Sequence, residues 1–231
     1  MLFDWGDTLV RWAWDEELLE AGHRAGLAAI GKDAPGLSAR FRDAYLPLLW
    51  QPGVVEEIEY PDLVRRLLSD VAVEVTDEEL ERFLEAEHAA WEPARQLGAH
   101  THALLEALRD RGLGLGLVSN ALDPPRLLHE DLARLGVAER LDTAVFSSEV
   151  GFRKPHPAIF RAALERLGVD PEATVFVGDS LHHDVAGAAE LGMTTIQAVW
   201  FRADDLDGVE PDFRAFTAHD VLNTIGRLRA A

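Results

Sequence analysis

The sequence predicts an α/β protein: a doubly wound parallel sheet whose first strand is followed by an inserted, all-helical segment. Three observations predict it. From about residue 97 onward, apolar runs of strand length alternate with stretches of helical period, the pattern of a parallel sheet covered on both faces. From residue 14 to about 92 the apolar spacing is helical almost throughout. Four polar motifs then fall in chain order at or beyond the carboxyl ends of expected strands, the edge of an open α/β sheet where ligands bind. The division that follows is a core of residues 1–13 and 94–231 and a helical cap of residues 14–93 standing above that edge.

Met1-Leu2-Phe3 reads as a strand running into a polar turn at Asp4. Three residues are few for a central strand, which usually runs about five or six. A short, frayed first strand is therefore expected, and with it the question of a native start upstream of Met1. Helices are expected near 15–30, 38–50, 60–70 and 77–91, punctuated by Pro52-Gly53 and Pro61. Thr76, followed three residues later by Glu79, is a capping box for the last of these. A helix at 99–111 leads to a strand at 113–118, where Leu113, Leu115 and Leu117 share one face and glycine fills two positions of the other. Helices at 125–135, 157–167 and 183–191 then alternate with strands at 143–146, 174–177 and 194–199. A strand at 213–216 and a helix at 219–229 complete the pattern.

The 22 Lys and Arg residues are set against 41 Asp and Glu residues, a formal charge of −19. Such a field repels nucleic acid and anionic membranes, so neither is expected as a partner. It also repels phosphorylated substrates, so an anion site must supply its own positive charge. Lys32 and Lys154 are the only lysines. The absence of cysteine excludes disulfides, thiolate catalysis and Cys-ligated metals. No apolar run approaches the roughly 20 residues that span a bilayer, and no secretory leader is evident, so a cytoplasmic protein is expected.

The four motifs are Asp4-Trp5-Gly6-Asp7-Thr8, Val118-Ser119-Asn120, Lys154-Pro155 and Gly178-Asp179-Ser180 with Asp184. An aspartate after a strand is often only a turn former. A lysine and three carboxylates gathered at one sheet edge are much harder to explain structurally. The set resembles the haloacid dehalogenase superfamily, whose phosphatases open with Asp-x-Asp-x-Thr. A Ser or Thr, a Lys and a Gly-Asp-Ser-x-x-x-Asp segment complete their pattern. The likeness runs through Phe3–Val10, Leu117–Asn120, Gly151–Phe160 and Val177–Ala188, and the helical insert is similar to that family's cap in its first insertion position.

The resemblance implies a hydrolase acting on a small phosphorylated metabolite, with Asp4 as nucleophile and an aspartyl-phosphate intermediate. It implies Mg²⁺ held by Asp4, Asp179 and the main-chain carbonyl of Gly6, with Asp184 holding metal-bound water or supporting Lys154. A carboxylate approaching a phosphoryl dianion is repelled, and a hard cation neutralises the pair. Lys154 would add charge at the nucleophile, and Ser119 and Asn120 would bind the phosphoryl oxygens.

The departure is at Gly6. The family's phosphatases carry their acid–base Asp two residues after the nucleophile, whereas here Asp7 comes one residue later. A one-residue shift turns a side chain of an extended segment to the other face. The conformational freedom of Gly6 offers a way to swing Asp7 back. The alternatives at this point are an Asp7 that fills the role and a slow enzyme, or a phosphate-binding regulatory protein, that lacks it.

Other residues have plainer readings. His182 and His183 read as solvated residues beside the site, Lys32 as a cap surface residue, and the acidic face of 77–87 as a solvated helix. Arg11, Trp12 and Trp14 follow the link between core and cap, where substrate contact and stapling of the cap are both open and stapling is the favoured reading, and Trp50 and Trp91 read as core. Two further chemistries stay in play. Carbon–halogen cleavage needs no metal, which leaves Asp179 and Asp184 unexplained. Phosphonoacetaldehyde hydrolases also lack the second Asp and carry Trp beside the nucleophile, as Trp5 is here. They use a cap lysine, and the Gly31-Lys32-Asp33 setting does not resemble theirs.

Overall fold

A computed structural model describes residues 1–13, 15–49, 53–206 and 208–230. Trp14 and Trp50 lie outside the described residues. Six parallel strands form the main sheet: β1 (Leu2–Phe3), β4 (Gly116–Ser119), β5 (Thr143–Phe146), β6 (Val175–Gly178), β7 (Thr194–Ala198) and β8 (Phe213–Ala215). Their spatial order is β5-β4-β1-β6-β7-β8. The chain runs outward from β1 through β4 to β5, then returns to the other side of β1 and runs out to β8. The strand order therefore reverses at β1, and a crevice opens at the carboxyl end of such a reversal.

Period-two alternation covers the sheet on both faces. Leu2, Val118, Val145 and Phe176 point one way, against Ile159, Phe160, Ala163 and Leu164 of α8 (Pro157–Leu167). Phe3, Leu117, Val177 and Ile196 point the other way. They meet α5 (Thr101–Arg109), α6 (Pro125–Arg134) and α10 (Ala218–Leu228). β1 is short, as expected. Leu2 and Phe3 are nonetheless fully buried, and each pairs with β4 on one side and β6 on the other. Burying two such side chains contributes about 1.5–3 kcal/mol each. Gly116 in β4 is explained by crowding, since a Cβ there would stand 2.8 Å from both Leu2 and Thr143 side-chain carbons.

Between β2 (Val10–Trp12) and β3 (Arg95–Leu97) lie four helices: α1 (Glu16–Ala29), α2 (Leu37–Leu49), α3 (Tyr60–Asp70) and α4 (Asp77–Ala90). β2 and β3 form an antiparallel pair, which local periodicity did not reveal because the partners are 83 to 87 residues apart (Trp12 with Arg95 to Val10 with Leu97). The helices share an apolar cluster of their own that includes Leu27, Phe41, Tyr60, Leu68, Phe83 and Trp91. α1 starts at Asp15, whose carboxylate accepts the Leu18 N–H. The Thr76–Glu79 capping box opens α4 as anticipated.

Several expectations need correction. The acidic stretch of α4 is not simply solvated, because Glu87 is fully buried and accepts a hydrogen bond from Tyr60 Oη at 2.7 Å. Lys32 does lie at the surface of the insert, where its ammonium is 3.1 Å from Glu79 and also donates to the Glu74 carbonyl. The helix expected at 183–191 begins earlier, as one π-helical segment over Leu181–Ala186 that continues into α9 (Gly187–Glu190). A short helix α7 (Ser147–Val150), directly after β5, was not anticipated.

Candidate active site

Asp4 directly follows β1, Ser119 ends β4 and Asp179 directly follows β6, so strand adjacency alone places Ser119, Asp4 and Asp179 side by side. Lys154 arrives from the loop between α7 and α8, and its side chain is almost wholly buried. The ammonium lies 2.5 Å from Asp4 Oδ1, 2.8 Å from Asp184 Oδ1 and 2.9 Å from the Val118 carbonyl. Three acceptors thus face three protons. Asn120 holds that lysine from behind: its Oδ1 accepts the Lys154 N–H at 2.7 Å and its amide donates to the Lys154 carbonyl at 3.2 Å. The amide expected to bind substrate is therefore engaged with the main chain of Lys154.

Asp184 comes from the π-helical turn, where its Oδ2 accepts the Ser180 N–H at 3.0 Å. Gly178 leaves room for it, since a Cβ at that position would lie 2.4 Å from the Asp184 carboxyl carbon. Oxygens of Asp4, Asp179 and Asp184 all lie within 4.8 Å of one another. Their titration records the crowding. Burial pushes the Asp4 carboxyl up to about 8; Lys154 opposes this, while Asp184 and Asp179 add to it. Burial, reinforced by Asp184, likewise raises Asp179 to about 6 against the pull of Arg202. For Lys154, burial is outweighed by Asp184 and Asp4, and its pKa rises above the ordinary lysine value. The site is short of positive charge, and its donor set is all oxygen. That combination fits a hard divalent cation.

Asp7 takes a left-handed backbone conformation, φ 52°. The unusual torsion therefore falls on Asp7 itself rather than on Gly6. Asp7 lines the same cavity as Asp4, and its carboxylate accepts the Trp12 N–H at 3.0 Å, with Arg202 Nε 3.9 Å away. Gly6 also lines the cavity, and a Cβ there would meet nothing within 4 Å.

The cavity holds about 290 Å³ and gathers all the anticipated site residues: Asp4, Gly6, Asp7, Ser119, Asn120, Lys154, Asp179 and Asp184. It also contains residues that sequence reasoning did not single out. Arg95, Asp123, Arg153 and Arg202 join the wall, and His183 and Trp12 line it rather than serving only as solvated or stapling residues. Arg202 grips Asp179 Oδ2 with Nη2 at 2.6 Å and Nε at 2.9 Å. Burial drives the His183 imidazole down to about 4, so it faces the cavity uncharged. Arg153 could have been suspected from its place beside Lys154. Arg95 and Asp123 depended on pairings that only the folded chain makes. Lys32 is not among the described residues of the wall. The helical insert reaches this region by main-chain pairing: Arg153 N donates to the Val55 carbonyl at 2.7 Å, and Glu57 N to the Gly151 carbonyl at 2.9 Å.

The chain matches the family described as haloacid dehalogenase-like hydrolase over residues 1–192. A glyceraldehyde 3-phosphate phosphatase of Methanocaldococcus jannaschii is 28% identical over 99% of this chain and 97% of its own. The chain spans about a third to three fifths of the length of other curated relatives, between 34% and 59%. Among solved structures, a 2-haloacid dehalogenase from Pseudomonas syringae superposes with TM-score 0.70 at 27% identity, covering 98% of this chain and 97% of that one. A phosphatase of the same superfamily from Thermococcus onnurineus gives TM-score 0.64 at 26% identity, covering 97% and 96%.

Proposed function

The chain belongs to the haloacid dehalogenase-like hydrolases, and on that premise we propose that it hydrolyses a phosphate monoester of a small metabolite through Asp4. The observation that carries this reading is the convergence of the Asp4, Asp179 and Asp184 oxygens within 4.8 Å of one another, with the Lys154 ammonium against Asp4 and Asp184. Halide displacement has no need of three clustered carboxylates, whereas a cation-assisted attack on phosphorus does. Relatives named as phosphatases support the same choice. Residues 14–93 are read as a cap over residues 1–13 and 94–231.

Mg²⁺, held by Asp4, Asp179 and the main chain of Gly6 with Asp184 behind, would neutralise the repulsion between the Asp4 carboxylate and the phosphoryl oxygens. The Lys154 ammonium orients Asp4 and works against the burial that raises its pKa, and a bound cation would complete the ionisation of the nucleophile. Asn120 fixes Lys154 in turn. Ser119, at the end of the neighbouring strand, offers its hydroxyl to a phosphoryl oxygen. Asp4 attacks phosphorus, and the alkoxide leaving group takes a proton from Asp7. The ionised Asp7 then removes a proton from the water that splits the aspartyl-phosphate, which releases phosphate and restores both carboxyls. Arg95, Arg153 and Arg202 share the cavity wall with Lys154 and offset part of its acidic charge, and a bound cation would supply the rest that an anionic substrate needs in a protein of net charge −19.

The test is phosphate release from an aryl phosphate and a panel of metabolite phosphates with purified protein and Mg²⁺. Release that is abolished by Asp4→Asn and by chelation is expected. Turnover that survives complete metal removal, or halide release from a 2-haloacid, overturns the reading.

A further inference from the structure

Helix α4 of the insert meets helix α6 of the core across a buried cluster of charges. At its centre stands His88, 6% exposed, with a carboxylate on each side of its ring. Nδ1 is 2.7 Å from Asp123 Oδ1, in the loop after β4, and Nε2 is 3.0 Å from Asp131 Oδ2, on α6. A neutral imidazole has one donor and one acceptor nitrogen, so it can satisfy only one of two carboxylates. The arrangement is complete only when the cluster holds one more proton, on the ring or on a carboxyl. Asp131 is held ionised by two arginines, Arg95 Nε at 2.7 Å and Arg134 Nη2 at 2.9 Å. The proton therefore belongs to His88 or to Asp123.

The remaining charged groups facing the cluster favour the ring. Arg95, from β3, donates to the His88 carbonyl at 2.8 Å. Arg134 also pairs with Glu92 at 2.6 Å, and Arg126 of α6 binds Glu85, one turn before His88 on α4, at 2.8 Å. Glu87 faces the opposite way, toward Tyr60. Carboxylates at hand outnumber guanidinium groups, so an imidazolium completes the balance. Burial works to lower the His88 pKa, but the hydrogen bonds to Asp123 and Asp131 outweigh it and raise the value above 6.5.

Asp123 and Arg95 both line the catalytic cavity. His88 touches each of them and belongs to the insert. We propose that His88 is a positioning residue: as an imidazolium it ties α4 to the core and holds Asp123 and Arg95 in the cavity wall, and that wall loosens when the ring loses its proton. The sign follows from linkage. A histidine raised in the folded state contributes stability that is complete below its unfolded pKa and is lost as pH rises through its folded value.

The titration of the histidine Cε1–H resonances by NMR tests this on the intact protein. The His88 signal is identified by its loss in His88→Gln, or by its loss in His88→Lys should the glutamine variant not fold. A midpoint above 6.5 that falls in Asp123→Asn is expected. A midpoint at or below 6.5, or one that Asp123→Asn leaves unmoved because the proton sits on the carboxyl, overturns the proposal. Kinetics supply the second arm, which rests on the phosphatase reading. At pH 6, His88→Gln should lower kcat/KM about tenfold or more, the size of one lost charge-assisted hydrogen bond. The native enzyme should lose kcat/KM as pH rises through the His88 midpoint, and His88→Lys, which keeps a cation between the two carboxylates, should remove that decline. A decline at the same pH in His88→Lys counts against the proposal. If no phosphate is released at all, the reaction assignment fails while the titration still decides the role of His88.

Discussion

Replacing Asp7 with asparagine isolates the proton-transfer step from everything else the residue does. The structure makes this a clean substitution. Asparagine tolerates the left-handed conformation, φ 52°, nearly as well as aspartate. Its side-chain oxygen can still accept the Trp12 N–H now bound at 3.0 Å. Exchanging a charged acceptor for a neutral one at this half-buried site costs about 1 kcal/mol or less, so the fold and Mg²⁺ binding should persist. The acid–base contribution should not. Such help is worth about 10² to 10⁴ in rate, which is roughly 2.7 to 5.4 kcal/mol of barrier. The assay is steady-state phosphate release with the best substrate of the panel, with urea unfolding of the same preparation as control. Activity within about threefold of the native enzyme would refute the reasoning, because no acid–base group is worth so little. A companion swap, Gly6→Asp with Asp7→Gly, carries the argument further. Position 6 has open space for a Cβ, and a glycine at position 7 accepts the positive φ without strain. The swapped protein should fold, giving up about 1 kcal/mol with the acceptor for the Trp12 N–H, and keep at least native turnover.

Other perturbations have defined outcomes. Lys154→Met leaves the buried Asp4 and Asp184 without their shared cation, a loss of about 3–5 kcal/mol, to be read by urea unfolding in chelator and expected to be smaller in Mg²⁺. Gly178→Ala drives a Cβ to within 2.4 Å of the Asp184 carboxyl carbon, so stability should fall by about 1–3 kcal/mol and half-saturation should require more Mg²⁺. Glu87→Gln keeps the acceptor for Tyr60 but cannot ionise. Burial raises the Glu87 pKa well above the usual carboxylate range, so its native contribution is complete below about 4.5 and is lost as pH rises through the raised value. The variant's Tm should therefore gain on the native protein as pH rises, by a few degrees per kcal/mol; an equal difference at pH 5 and pH 9 would contradict this.

Most of the sheet and the order of its motifs were legible in the sequence because they depend on local rules. Alternating apolar runs, prolines at helix starts and polar residues at strand ends report their own neighbourhoods. β1 shows where such rules weaken: two residues persist as a central strand because β4 and β6 bury Leu2 and Phe3 from both sides. The β2–β3 pair and the short helix α7 left no periodic trace, the first being a long-range pairing and the second a single turn.

By itself, the sequence determined which groups the chemistry has available: Asp4, Asp7, Ser119, Lys154, Asp179 and Asp184, in a chain with almost no lysine and a large excess of acid. Only the tertiary structure decided where the Asp7 carboxylate points, that Asn120 holds Lys154, and that Arg95, Arg153, Arg202 and Asp123 complete the cavity wall. It also decided that Glu87 and His88, neighbours on one helix, face a buried tyrosine and a pair of carboxylates respectively. The physical reason is range. Strand and helix identity follow from interactions a few residues apart, whereas burial and charge pairing are set by partners tens of residues away that share no pattern until the chain has folded.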